Sequence, residues 1–166
     1  MRTIVSYLLL LCLSSVAHAQ KAQIERIDIV GKGIYQVAVG KLTPNKRTPT
    51  GVVTSVQNAK KIEDTTTVHA RIGVEFGIQY VIVGVPKGAQ VPIRIVNVYP
   101  KQGLRNPKTR ETFRRAEIVR NKIIGDVVYT GYAFENAWEI VPGVWKFELW
   151  HKNRKLAEQR FTVTRP

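Results

Sequence analysis

Few residues in this chain could carry chemistry, and their spacing restricts what they could do. The serines are Ser6, Ser14, Ser15 and Ser55. Ser55 stands in Val52-Val53-Thr54-Ser55-Val56-Gln57, not in the Gly-x-Ser-x-Gly turn that presents a nucleophile. Its triad partners would be His69 or His151 with Asp28, Asp64 or Asp126, and no spacing links them. The single cysteine, Cys12, falls in a leader expected to be removed, which leaves no thiolate, no disulfide and no cysteine ligand in the product. His69 and His151 are the histidines that remain. Without a His-x-His, an HExxH or an acidic calcium loop, neither a metal nor any other cofactor is expected. Glu135 and Glu139 are an even number of residues apart and would share one face of a strand. A carboxylate pair is the equipment of glycoside hydrolysis, so an accessory glycan-acting hydrolase is one function class to weigh. In a chain with a large cation excess, the plainer expectation is that each glutamate meets an arginine or lysine. Glu139 is read as tying a turn together by accepting backbone or arginine hydrogen bonds.

The other candidate chemistry is binding. The chain holds 26 Lys+Arg against 12 Asp+Glu, a formal charge of +14. Such a charge attracts anionic partners over long range, although it also simply keeps a small protein soluble. The densest basic stretch runs from Lys101 to Lys122 and contains Arg105, Arg110, Arg114, Arg115 and Arg120, whose guanidinium groups suit bidentate contact with phosphate or carboxylate. No Gly-rich phosphate loop and no RNA-binding aromatic motif accompanies it, so nucleic acid is not an expected partner. Trp138, Trp145 and Trp150 lie close together in sequence. Trp145 and Trp150 are five apart and would point to opposite faces of a strand, which makes Trp150 the candidate for an exposed aromatic contact. Pro142 and Gly143 set a turn that feeds Trp145 into the last hairpin.

The elements that must position these residues read as strands. Ile24 to Gln36 is strand-like, and Gly40 to Gly51 is a polar, proline-bearing loop. Val52 to Asp64 suggests a short edge strand followed by a charged connection through Lys60 and Lys61. Between Val68 and Ile82, every second residue from Val68 through Ala70, Ile72, Val74, Phe76, Ile78 and Tyr80 is apolar. This predicts one long strand bent at Gly73 or Gly77, or a strand shared between two sheets, with His69 facing water. Val91 to Tyr99 is a strand with Val91, Ile93 and Ile95 on one face, and Pro92 hints at an edge or a strand start. Pro100 to Thr112 reads as a loop. Phe113 to Ile124 has helical Glu111/Arg115 spacing, yet its β-branched residues favour a strand. Val127 to Ile140 is expected to be a strand with Tyr132, Phe134, Asn136, Trp138 and Ile140 on one face. Val144 to Trp150 and Leu156 to Val163 form a hairpin around Lys152-Asn153. About seven strands and no confident helix predict an immunoglobulin-like antiparallel β-sandwich.

Several segments resemble a known family when taken in order. They are Ala70-Arg71-Ile72-Gly73-Val74-Glu75-Phe76-Gly77, Gly103-Leu104-Arg105-Asn106-Pro107, Trp138-Glu139-Ile140-Val141-Pro142-Gly143-Val144-Trp145, Lys155-Leu156-Ala157-Glu158 and Phe161-Thr162-Val163. The chain from about Ile27 to Val163 is similar to the DUF3859 family of exported bacterial domains. That resemblance implies a compartment and an architecture; it transfers no catalytic residue. Export is also expected from the residues themselves. Met1-Arg2-Thr3 is a positive start, Ile4 to Val16 is an apolar run too short to span a bilayer, and Ala17-His18-Ala19 offers small residues at a cleavage site. Cleavage after Ala19 would leave residues 20–166 as one domain in the periplasm, with no transmembrane segment. The expected role is a non-enzymatic binding or protein-interaction module for an envelope protein or an anionic lipid or glycan. A purely structural domain is the remaining alternative.

Overall fold

A computed structural model describes residues 21–165; the expected leader, residues 1–19, and Cys12 with it lie outside them. The chain forms eleven strands among the described residues, and their order determines which side chains meet. They are β1 (Gln23–Pro44), β2 (Val52–Glu63), β3 (Thr67–His69), β4 (Glu75–Val85), β5 (Gln90–Val98), β6 (Leu104–Arg105), β7 (Thr112–Phe113), β8 (Arg115–Ile123), β9 (Val127–Ala133), β10 (Gly143–His151) and β11 (Arg154–Thr164). One sheet has the order β2-β1-β4-β9, a second has β3-β11-β10-β5-β8, and β6-β7 is a small separate hairpin. All pairings are antiparallel except β3 with β11. The two large sheets stack face to face as an immunoglobulin-like sandwich.

The core follows from period-2 alternation. On β4, Phe76, Ile78, Tyr80 and Ile82 are fully buried, and they meet Val91, Ile93 and Ile95 of β5 and Trp145, Phe147 and Leu149 of β10. Phe76 is the hub. Its ring lies 5.4 Å from Phe134, 5.6 Å from Trp145, 5.6 Å from Phe147 and 5.3 Å from Phe161, the last three edge to face.

The alternating run from Val68 to Ile82 resolves as the shared-strand alternative. Val68 and His69 belong to β3 in the second sheet, with His69 exposed, whereas Glu75 onward belongs to β4 in the first. The crossing is made at Gly73, whose φ of +88° closes a turn in which Val74 donates to the Arg71 carbonyl at 3.1 Å. Ile72, expected in the apolar row, sits on that turn and is 61% exposed. The strand expected from Val127 to Ile140 also ends early, at Ala133. Phe134 still exchanges backbone bonds with Val74 and Gly73, but the chain turns away at Gly73, so no partner remains beyond it and residues Ala137–Glu139 form a 3₁₀ turn instead.

The amino-terminal hairpin is longer than its sequence suggests. β1 pairs with β4 through Tyr35 and with β2 from Ile34 to Pro44, so its outer half leaves the sandwich with β2 as an arm. The expected loop at 40–51 shrinks to residues 45–51, and Lys60 and Lys61 lie inside β2 rather than in a connection. A two-stranded arm needs no buried face, so hydrophobic patterning gave little sign of it. Pro92 lies in an interior strand, but β10 pairs with β5 only between Arg94 and Val98, so the missing N–H at Pro92 breaks no bond with β10. The stretch 115–123 is a strand, and the loop at 100–112 contains the β6-β7 hairpin.

Candidate functional site

β8 and β9 are the outermost strands of the two large sheets on the same side of the sandwich, and a cleft of about 370 Å³ opens between them. The arm forms its third wall through Val37, Val39 and residues 48–56. The arm's tip is tied down: Asn106 Nδ2 donates to the Pro49 carbonyl at 2.7 Å, while Asn106 Oδ1 accepts from the backbone N–H groups of Lys108 at 2.8 Å and Thr109 at 3.2 Å. Asn106 and Thr48 are both buried there.

The parity of β8 sorts its side chains. Ala116, Ile118, Arg120 and Lys122 form one row that lines the cleft; Glu117 and Asn121 of the alternate row also border it, whereas Arg115 and Val119 of that row are exposed and lie outside it. Arg120 and Lys122 are half-buried neighbours on that row. Burial, and then the charge of Arg120, hold the Lys122 ammonium below the usual lysine pKa. Among the described residues, no carboxylate comes within 4.0 Å of either cation.

The opposite wall carries Glu75, Glu135 and Glu139. Glu75 accepts a hydrogen bond from Tyr129 at 3.0 Å. Tyr129 lies over Gly131, where any Cβ would collide with its hydroxyl. Glu139 is fully buried; one carboxylate oxygen accepts from the Tyr132 hydroxyl at 2.6 Å and the other from Asn136 Nδ2 at 2.7 Å. Burial raises the carboxyls of both Glu75 and Glu139 above the ordinary glutamate value, against the opposing effect of their hydrogen bonds, and the charge of Glu135 adds to the rise in each. Burial also raises the Tyr132 and Tyr129 hydroxyls, and their carboxylate neighbours push further.

The sequence-derived candidates do not converge on one site. The expected strand-face pair Glu135/Glu139 does not form: Glu139 lies in the 3₁₀ turn and is sealed, while Glu135 is exposed in the irregular segment between β9 and that turn. The bonds Glu139 accepts come from Tyr132 and Asn136, not from arginine, and they tie the 134–141 turn to β9. Arg105, Arg110 and Arg114 lie on or beside the β6-β7 hairpin, where Arg114 Nε donates to the Lys101 carbonyl at 3.0 Å. Arg115 faces outward and reaches Glu117 at 3.4 Å. Only Arg120 of these arginines projects from the cleft row of β8. Trp150 is on the outer face of the second sheet and is half-buried rather than open. Arg94 lies over its ring at 5.0 Å and Lys155 at 5.8 Å, and its Nε1 donates to Glu148 at 2.9 Å. The Trp138–Trp145 segment is structural in geometry: Trp138 packs on the core, and Trp145 Nε1 donates to the Val141 carbonyl at 2.9 Å. Pro142 and Gly143 lead into β10, with Gly143 at φ +130° close against Pro100. From sequence Lys122 was only the end of the basic stretch and Tyr132 one residue of a strand face, and Glu75 and Tyr129 were given no part in a site. Lys122 was legible, because it shares the parity of Ala116, Ile118 and Arg120; the others depend on contacts between distant strands.

Two stacked sheets, antiparallel but for β3 beside β11, define an immunoglobulin-like sandwich. An immunoglobulin-like protein from Pseudomonas aeruginosa has a similar solved structure, at 22% sequence identity and a TM-score of 0.59, over 87% of this chain and 97% of that one. The sequence model of the family described as Domain of unknown function (DUF3859) matches residues 23–163, and the chain belongs to that family. No functionally curated protein matches the chain in sequence.

Proposed function

We propose that this chain is a non-enzymatic binding module, exported to the periplasm, which holds an anionic partner of the envelope at the β8 side of the cleft. The supporting observation is the pair Arg120 and Lys122, half-buried on one row and without a carboxylate within 4.0 Å among the described residues. Two adjacent cations that repel each other in a partly desolvated site are stabilised when an anion joins them. The outer face of the same sheet differs: there Glu117 meets Arg94 at 3.5 Å and Arg115 at 3.4 Å, and Glu158 meets Lys155 at 2.6 Å and Arg160 at 2.7 Å. Those pairs satisfy one another. Hydrolysis finds less support, because both carboxylate oxygens of Glu139 are committed to Tyr132 and Asn136.

The test is retention of the domain on phosphatidylglycerol vesicles and on poly-glutamate at low salt and at about 1 M salt, where screening shortens to roughly 3 Å. Binding should be lost at high salt and in the double variant R120E/K122E. Binding that persists unchanged at high salt, or in that variant, would overturn the reading.

A further inference from the structure

We infer that the partner is an extended polypeptide segment that adds to the free edge of β8 as a further strand, with acidic residues at alternate positions. This rests on the anion-binding reading above and specifies what carries the anion. The first observation is the edge itself. β8 pairs with β5 over nine consecutive residue pairs, from Gln90–Ile123 to Val98–Arg115, with no register shift, and no strand lies on its other side among the described residues. Proteins blunt such edges with bulges, proline, short length or charged side chains, because a regular row of free N–H and C=O groups is a template for another chain; a charged edge turns away other chains but admits one of opposite charge. The long edge strand β2 shows the first device, since its ladder with β1 is interrupted by three register shifts. β8 has no proline and no bulge; it has only charge.

The second observation is complementarity. Side chains opposite one another in a new antiparallel pair sit roughly 4.5–5.5 Å apart on the same face. A strand added to β8 would therefore place alternate residues against Lys122, Arg120, Ile118 and Ala116 in turn. The segment that fits reads acidic-x-acidic-x-apolar-x-small in its own direction. On the opposite wall the exposed Glu135 repels such a segment, which leaves β8 as its side of the cleft. Main-chain bonds supply affinity and the alternate side chains supply selection, as in other strand-addition complexes.

The probe is a capped synthetic peptide reading Glu-Thr-Glu-Thr-Val-Thr-Ala, tested on the whole domain by calorimetry and by hydrogen exchange. The comparison probes are its mirror-image enantiomer, a form N-methylated at alternate amides, and phosphatidylglycerol vesicles. The L-peptide should bind and slow exchange of the 115–123 amides. N-methylation or inversion of chirality should weaken binding by about tenfold or more, because the ladder bonds are lost while the charge is kept. If all three peptides bind alike, or if the vesicles bind and the L-peptide does not, strand addition is wrong and the anion-binding reading stands. If neither peptide nor vesicle binds at low salt, both are wrong. The variant I118T keeps both cations and a strand-favouring residue, and should weaken the L-peptide without altering vesicle binding. Equal loss on both probes would count against strand addition.

Discussion

Glu139 shows how one residue type serves different ends according to its surroundings. Sequence places it in a conspicuous tryptophan-bearing segment; its contacts make it a brace between β9 and the 3₁₀ turn. Truncation in Glu139→Ala leaves the Tyr132 hydroxyl and the Asn136 amide without their acceptor, so it should lower stability by about 1–3 kcal/mol, measured by urea denaturation. Glu139→Gln keeps one acceptor and the volume, and should cost less. The pH dependence has a definite sign. Glu75 and Glu139 have carboxyls raised above 4.5 in the folded chain. Folding therefore favours their protonated form, and the stability they contribute is fully present below pH 4.5 and is lost as pH rises through the raised values. Glu158 behaves oppositely. Hydrogen bonds from Lys155 and Arg160 lower it to about 2, so its contribution is present above 4.5 and fades as pH falls toward 2. Relative to the Glu139→Gln variant, the parent chain should gain urea resistance as the medium is acidified from pH 7 to about 4.5. An identical slope in the two proteins would show that Glu139 does not titrate in that window.

At the level of elements, the sequence foretold strands wherever one face meets the core. The alternation of β4, the Val91, Ile93 and Ile95 row of β5 and the carboxy-terminal hairpin were all legible, because burial of one face imposes a period of two. What escaped was structure whose reason lies elsewhere in the chain. β9 stops where β4 no longer accompanies it, and the arm extends because β1 and β2 pair with each other outside the sandwich. The Glu135/Glu139 pairing failed for the same cause, since it assumed a strand that has no neighbour at that height. The arm's position over the cleft depends on Asn106, which satisfies one carbonyl of the tip and two N–H groups of its own turn. Asn106→Ala should release the tip, seen as faster hydrogen exchange and earlier proteolysis across residues 45–51, while the sandwich strands keep their protection. Unchanged protection at the tip would mean that its own hydrogen bonds, among Asn45, Thr48, Gly51 and Val52, hold it without Asn106.

For the whole molecule, two properties act at different ranges. The charge of +14 acts at long range, yet by itself it identifies no partner. Its information lies in placement: on the second sheet Arg94, Arg115, Lys155 and Arg160 each meet a carboxylate, and the half-buried Arg120 and Lys122 of the cleft do not. Cohesion acts at contact. No disulfide is available to the described residues, so the fold depends on a core that gathers around Phe76. Phe76 and Ile72 belong to the same apolar row in sequence and are only four residues apart. One is fully buried among four rings, and the other is 61% exposed on the crossing turn. Phe76→Ala removes a ring from a close-packed centre and should cost about 3–5 kcal/mol by urea denaturation. Ile72→Ala removes a side chain that water already reaches, and should stay within about 0.5 kcal/mol. If the two substitutions cost the same, residues 68–82 would run as one continuous strand with Ile72 in the core, and the crossing between sheets at Gly73 would be misplaced. A large loss confined to Phe76 would instead place Ile72 outside the core, on the turn that carries the chain from β3 in one sheet to β4 in the other.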